Sequence, residues 1–66
     1  MEDGYRVEEV TDVRWKDGIE DGTREYCVKW LNYAHKDNTW EAKSPDLDEF
    51  IEEYWQEMYG HRAPSE

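Results

Sequence analysis

The spacing of apolar residues changes once along this chain, and the change limits what the chain can fold into. From Leu47 onward, Leu47, Phe50, Ile51, Tyr54, Trp55 and Met58 fall three, four, seven, eight and eleven residues after the first, one stripe of an amphipathic helix. Before that point the pattern alternates. Tyr26, Val28 and Trp30 share one face of a strand spanning Thr23 to Trp30, with Glu25, Cys27 and Lys29 on the other. Tyr5 to Trp15 reads as an earlier strand, with Tyr5, Val7 and Val13 on one alternating set and Val10, Asp12 and Arg14 on the other. That alternation is imperfect and implies partial cover on both faces. Asn38 to Glu41 reads as a short third strand. The expectation is an α+β domain, a three-stranded antiparallel sheet packed by one C-terminal helix.

The connections agree with this reading. Lys16 to Gly22 carries two Asp-Gly pairs, Asp17-Gly18 and Asp21-Gly22, which supply the positive φ angles of a hairpin loop longer than two residues. Asn32 to Lys36 reads as a turn. Ser44 is the expected N-cap of the helix and Pro45 its first residue, with Asp46, Asp48 and Glu49 at the positive end of the dipole and Gly60 as C-cap. Residues 1–4 are expected to form a flexible N-terminal segment, residues 5–60 the domain, and residues 61–66 a flexible tail that frays.

A chain of 66 residues lies near the lower limit for one self-sufficient core. Cys27 has no cysteine partner, and no Cys or His spacing resembles a zinc site, which favours a reducing, intracellular setting. No apolar run is long enough for a bilayer, and the start lacks the features of a signal peptide, so a soluble domain without a membrane partner is expected. His35 and His61 read as solvated polar residues, and no metal or cofactor is implied. Glu52-Glu53 and Asp46-Asp48 fall on the helix's exposed face or first turn with no nucleophile beside them, and nothing places Cys27 near a histidine. An enzyme is not expected. Eighteen acidic against eight basic residues give a net charge of −10, which repels nucleic acid and anionic lipid and suits a Lys/Arg-rich peptide.

Aromatic residues make up 15% of a chain that is 39% charged, more rings than a core of this size needs. A lone Trp30 would more often be core. Tyr33 three residues later and the Asp37-Asn38-Thr39-Trp40-Glu41 stretch reverse that reading. Together with Gly4-Tyr5-Arg6-Val7-Glu8-Glu9-Val10 and Glu25-Tyr26-Cys27-Val28-Lys29-Trp30-Leu31-Asn32-Tyr33, these motifs resemble a chromodomain, the module of heterochromatin and Polycomb proteins that reads methylated lysine on histone H3. The resemblance spans Tyr5 to about Tyr59.

By that resemblance Tyr5, Trp30 and Tyr33 are the rings of a methyl-lysine cage and Asp37 an acidic neighbour. A trimethylammonium group keeps its charge but has no N–H, so ring faces suit it better than hydrogen-bond acceptors, at roughly 0.5–2 kcal/mol per contact. The family holds its peptide as an added strand. The expected contacts are Gly4, Arg6, Val7 and Glu8 on one side and Glu41, Asp46 and Asp48 on the other. Lysine nine is the first expectation for the target and lysine twenty-seven the second, in a monomeric nuclear protein of chromatin. The other function class is protein assembly, by binding an unmethylated arginine-rich peptide or by dimerising. The resemblance also implies a Trp40 buried beneath the helix, and it assigns no role to Trp15. It departs at Ala42-Lys43-Ser44-Pro45-Asp46-Leu47, which lacks the Asn usual in the family and reads as one residue shorter.

Overall fold

The computed structural model describes residues 5–20 and 22–64; Gly4 with the rest of segment 1–4, Asp21 of the second Asp-Gly pair, and Ser65 and Glu66 lie outside the described residues. Strand β1 (Val7–Trp15) leads through a 3₁₀ turn to β2 (Arg24–Trp30), and a second such turn precedes β3 (Thr39–Ala42). The helix α1 (Asp48–Tyr59) follows and packs against β1. The sheet is antiparallel in the order β1-β2-β3. This is the α+β architecture that the change of period predicts.

The uneven alternation of the first strand has a physical cause. Val7 pairs with Trp30, Val10 with Val28 and Val13 with Tyr26, and the register slips between Val7 and Glu9 and again between Val10 and Asp12. Each bulge adds one residue to β1, so its inward positions recur every three residues instead of every two. All three valines therefore share the face of Tyr26, Val28 and Trp30. Against that face α1 and the turn before it lay Leu47, Ile51 and Tyr54, which with Val10, Tyr26 and Val28 form the buried core.

Three local expectations are corrected or refined. The helix begins at Asp48, not at Ser44-Pro45: the Leu47 N–H donates to the Ser44 carbonyl at 2.9 Å and the Asp48 N–H to that of Pro45 at 3.4 Å, a tight turn that brings Leu47 into the core. Pro45 favours that turn as readily as a helix start, since both need its fixed φ. Trp40 is not beneath the helix. It pairs with Cys27, so its ring points to the opposite sheet face, where the Arg14 guanidinium lies 4.1 Å from its centroid. The hairpin loop turns at Asp17 and Gly18, with φ of 56° and 73°, and the Arg24 guanidinium sits 4.7 Å from the ring of Trp15.

Lys29 is only 8% exposed, and its ammonium donates to Glu8 Oε1 at 2.6 Å and to the Trp30 carbonyl at 3.0 Å. A bulge residue thus supplies the counter-charge. Removing one partner of such a pair leaves the buried charge uncompensated, whereas removing the charge does not. We expect Glu8→Ala to lower stability by about 1–3 kcal/mol and Lys29→Met to change it little, since the Glu8 carboxylate can still reach water. Urea titration of both variants checks this.

Tyr54 is buried, and its phenol is pushed up to about 12 by burial first, then by hydrogen bonding to Tyr59 and the nearby Tyr59, Asp12 and Tyr26. The folded state therefore holds this proton more tightly than the unfolded chain, in which tyrosine titrates near 10.0. Tyr54's contribution is complete below pH 10 and is lost as pH rises through about 12. The melting temperature is expected to fall across that interval, and Tyr54→Phe to make the fall shallower.

Candidate ligand-binding site

Trp30 ends β2 on the core face, where the sheet runs out and its ring is only half covered. Its indole N–H donates to Thr39 Oγ1 at 2.9 Å, and that hydroxyl donates to Glu41 Oε2 at 2.7 Å. Thr39 and Glu41 lie opposite Val28 and Tyr26, so the alternation of β3 turns both toward the side of Trp30. The ring is held at its edge by this relay. Just beyond it the chain reverses: Asn32 takes a φ of 68° and the Tyr33 N–H donates to the Trp30 carbonyl at 3.1 Å, which brings Tyr33 back beside the strand end.

The third ring comes from the approach to β1, which the antiparallel pairing places at the same end of the sheet as Trp30. The Leu31 N–H donates to the Arg6 carbonyl at 2.8 Å, extending the pairing past Val7 and carrying Tyr5 over the turn. The Tyr5 ring then lies 5.9 Å from that of Trp30, edge-on at 64°, and 5.5 Å from that of Tyr33 at 46°. Tyr5 is 72% exposed and Tyr33 46%. The Tyr33 phenol is raised above its ordinary value by Tyr5 first, then by desolvation, a hydrogen bond with Tyr5 and the nearby Asp37 carboxylate.

From Tyr5 and Trp30 a groove of about 690 Å³ runs between the segment Tyr5-Arg6-Val7 and the segment from Glu41 to Leu47, reaching Phe50 of the helix. Of the residues singled out in the sequence, Tyr5, Arg6, Val7, Trp30, Glu41 and Asp46 meet along it, Tyr33 closes one end, and Asp37 stands behind Tyr33. Glu8 and Asp48 are not among its lining; their carboxylates hold Lys29 and, at 2.7 Å, Lys43. Gly4 falls outside the described residues. Ala42, Lys43, Ser44 and Leu47 lie within the segment from Glu41 to about Asp48 that the resemblance sets beside the peptide, while Thr39 and Phe50 join the site although no motif singled them out for it. For Thr39 a signal existed, since two polar residues at alternate positions, Thr39 and Glu41, flank Trp40 on a strand that otherwise turns Trp40 outward.

A family model described as the Chromo (CHRromatin Organisation MOdifier) domain matches residues 5–57. The chain belongs to the chromodomain family. Chromodomains are binding modules of chromatin that engage methylated histone tails. Searches of curated proteins and of solved structures gave no significant match. The matched span of this chromodomain contains the three strands, most of α1, and every described residue of the groove.

The relay behind Trp30 can be tested without a ligand. In Thr39→Val the indole N–H loses its acceptor, and its hydrogen exchange, followed by NMR, should speed up roughly fivefold, as a bond worth about 1 kcal/mol implies. Exchange at the Trp40 indole should stay as it is.

Proposed function

We propose that this chromodomain, of the heterochromatin and Polycomb type, recognises a di- or trimethylated lysine on the histone H3 tail. Tyr5, Trp30 and Tyr33 surround the methylated ammonium, and Asp37 adds a longer-range attraction. The flanking peptide lies as an added strand in the groove between Arg6-Val7 and Glu41 to Asp46. Lysine nine is the first target and lysine twenty-seven the second; both sit in the order Ala-Arg-methyl-Lys-Ser, so discrimination between them falls to residues that read further along the tail and not to the cage. The domain acts as a monomer in the nucleus and performs no catalysis.

The observation that carries this reading is the convergence of three rings, two of them well exposed, at one end of a groove with polypeptide on both sides. Clustered exposed rings attract a cation at about 0.5–1 kcal/mol each, and more once water is excluded. The groove gives a neighbouring peptide backbone the start of β1 on one side and the end of β3 on the other to pair with. A net charge of −10 draws a basic histone tail toward it.

Tryptophan fluorescence with H3-tail peptides, unmethylated or trimethylated at lysine nine or twenty-seven, tests the proposal. Saturable binding of the methylated peptides alone is expected, and Trp30→Ala should weaken it at least about tenfold, as loss of one desolvated ring contact predicts. Equal binding of methylated and unmethylated peptides, sensitive to salt, would point instead to an arginine-rich assembly partner.

A further inference from the structure

A second recess opens at the far end of the sheet. The antiparallel register sets Val7 beside Trp30 at the groove and Trp15 beside Arg24 at the hairpin end. There a cavity of about 220 Å³ is lined by Val13, Arg14, Trp15, Arg24 and Trp55. None of these residues lines the groove. Val13 belongs to the core face of β1 and Trp55 to α1, so the recess lies between sheet and helix. Trp15, to which the family resemblance gives no role, forms one of its walls. Tyr59 and His61 pack against the Trp55 ring without lining the recess.

Two observations point to the chemistry of an occupant. The indole N–H of Trp55 is buried and has no acceptor among the described residues. Nearly all buried donors in folded proteins are paired, because an unpaired one is costly. The second observation is the Arg24 guanidinium, 4.7 Å from the Trp15 ring centroid. Stacked on a ring, a guanidinium keeps its N–H donors in its own plane, where they can grip a carboxylate side by side. Arg14 is committed elsewhere, over Trp40 and paired with Glu25 at 3.0 Å, so that neighbouring acid is itself matched. Asp17 borders the adjoining recess, and among the described residues no acid lines this one. The other walls are the apolar bodies of Val13, Trp15 and Trp55. An acceptor for Trp55, a negative charge for Arg24 and an apolar stem for the rest together describe a carboxylate on a short hydrocarbon. The volume suits one side chain, being below the roughly 300 Å³ at which small-molecule pockets begin.

We propose that the recess between Trp15 and Trp55 binds a carboxylate of a partner peptide, with Arg24 gripping it and the Trp55 indole N–H donating to it. The site is separate from the rings at the groove and independent of lysine methylation. An NMR titration of the intact chain at constant ionic strength tests it, following the assigned tryptophan indole N–H signals. The probes are N-acetyl-leucine, with a terminal carboxylate; N-acetylglutamic acid α-amide, with a side-chain carboxylate; N-acetyl-leucinamide, a neutral match; and inorganic phosphate. The Trp55 signal should move saturably with a carboxylate, which should bind at least about fivefold more tightly than leucinamide, as a charge-assisted bond requires. The tighter of the two carboxylates identifies a chain terminus or an acidic side chain as the source. Arg24→Gln should remove the preference and Trp30→Ala leave it unchanged, with Val10 and Val28 methyl signals reporting an intact core. No saturable shift at Trp55, equal binding of leucinamide or of phosphate, full preference in Arg24→Gln, or shifts confined to the Trp30 indole would overturn the assignment.

Discussion

The pairing of a bulged β1 with β2 underlies everything else in this molecule. Without the two added residues, strict alternation would put Val10 on the opposite face from Val7 and Val13. With them, three valines face Tyr26, Val28 and Trp30, and the sheet has one continuous apolar side for α1 to cover. The same bulges supply Glu8 to Lys29 and set the path by which residues 5 and 6 leave the sheet. Core, buried ion pair and ring site therefore share one register.

Marginal stability makes these couplings matter. A domain of 66 residues holds on the order of 3–10 kcal/mol in total. An uncompensated Lys29 would consume a sizeable part of that. Arg14 and Arg24 each lie over an indole, and Arg14 also pairs with Glu25 at 3.0 Å. Such exposed pairs contribute little singly. Their larger effect is to cover Trp15 and Trp40, rings that the small core has no room for, with side chains whose charged ends remain in water.

The fold was legible wherever a period was strong. The helix stripe from Leu47 to Met58, the alternation of β2 and the Asp17-Gly18 turn are all local signals, and each has its counterpart in the structure. What stayed hidden depended on long-range register. No local pattern reveals that Glu8 is the extra residue of a bulge, or that Trp40 faces away from the helix, because both follow from which residue lies across on β2. The helix start was misread because Ser-Pro-Asp opens a tight turn as well as a helix, and burial of Leu47 decides between them. The rings Tyr5, Trp30 and Tyr33 could be named from motif, but the Trp30-Thr39-Glu41 relay that orients one of them needed coordinates.

Folding alone gives no reason for the exposed rings. Burying a large apolar side chain is worth about 1.5–3 kcal/mol, so leaving Tyr5 72% and Tyr33 46% exposed forgoes an appreciable part of the domain's stability. Single exposed apolar residues are ordinary, but rings gathered at one point and held by specific bonds are not. The holding bonds at the groove are the Thr39 relay and the Asn32 turn. There backbone and polar side chains keep ring surface available in a strongly acidic chain. The proposed methyl-lysine role of Tyr5, Trp30 and Tyr33 would supply that reason, since exposed ring faces attract a cation at about 0.5–1 kcal/mol each.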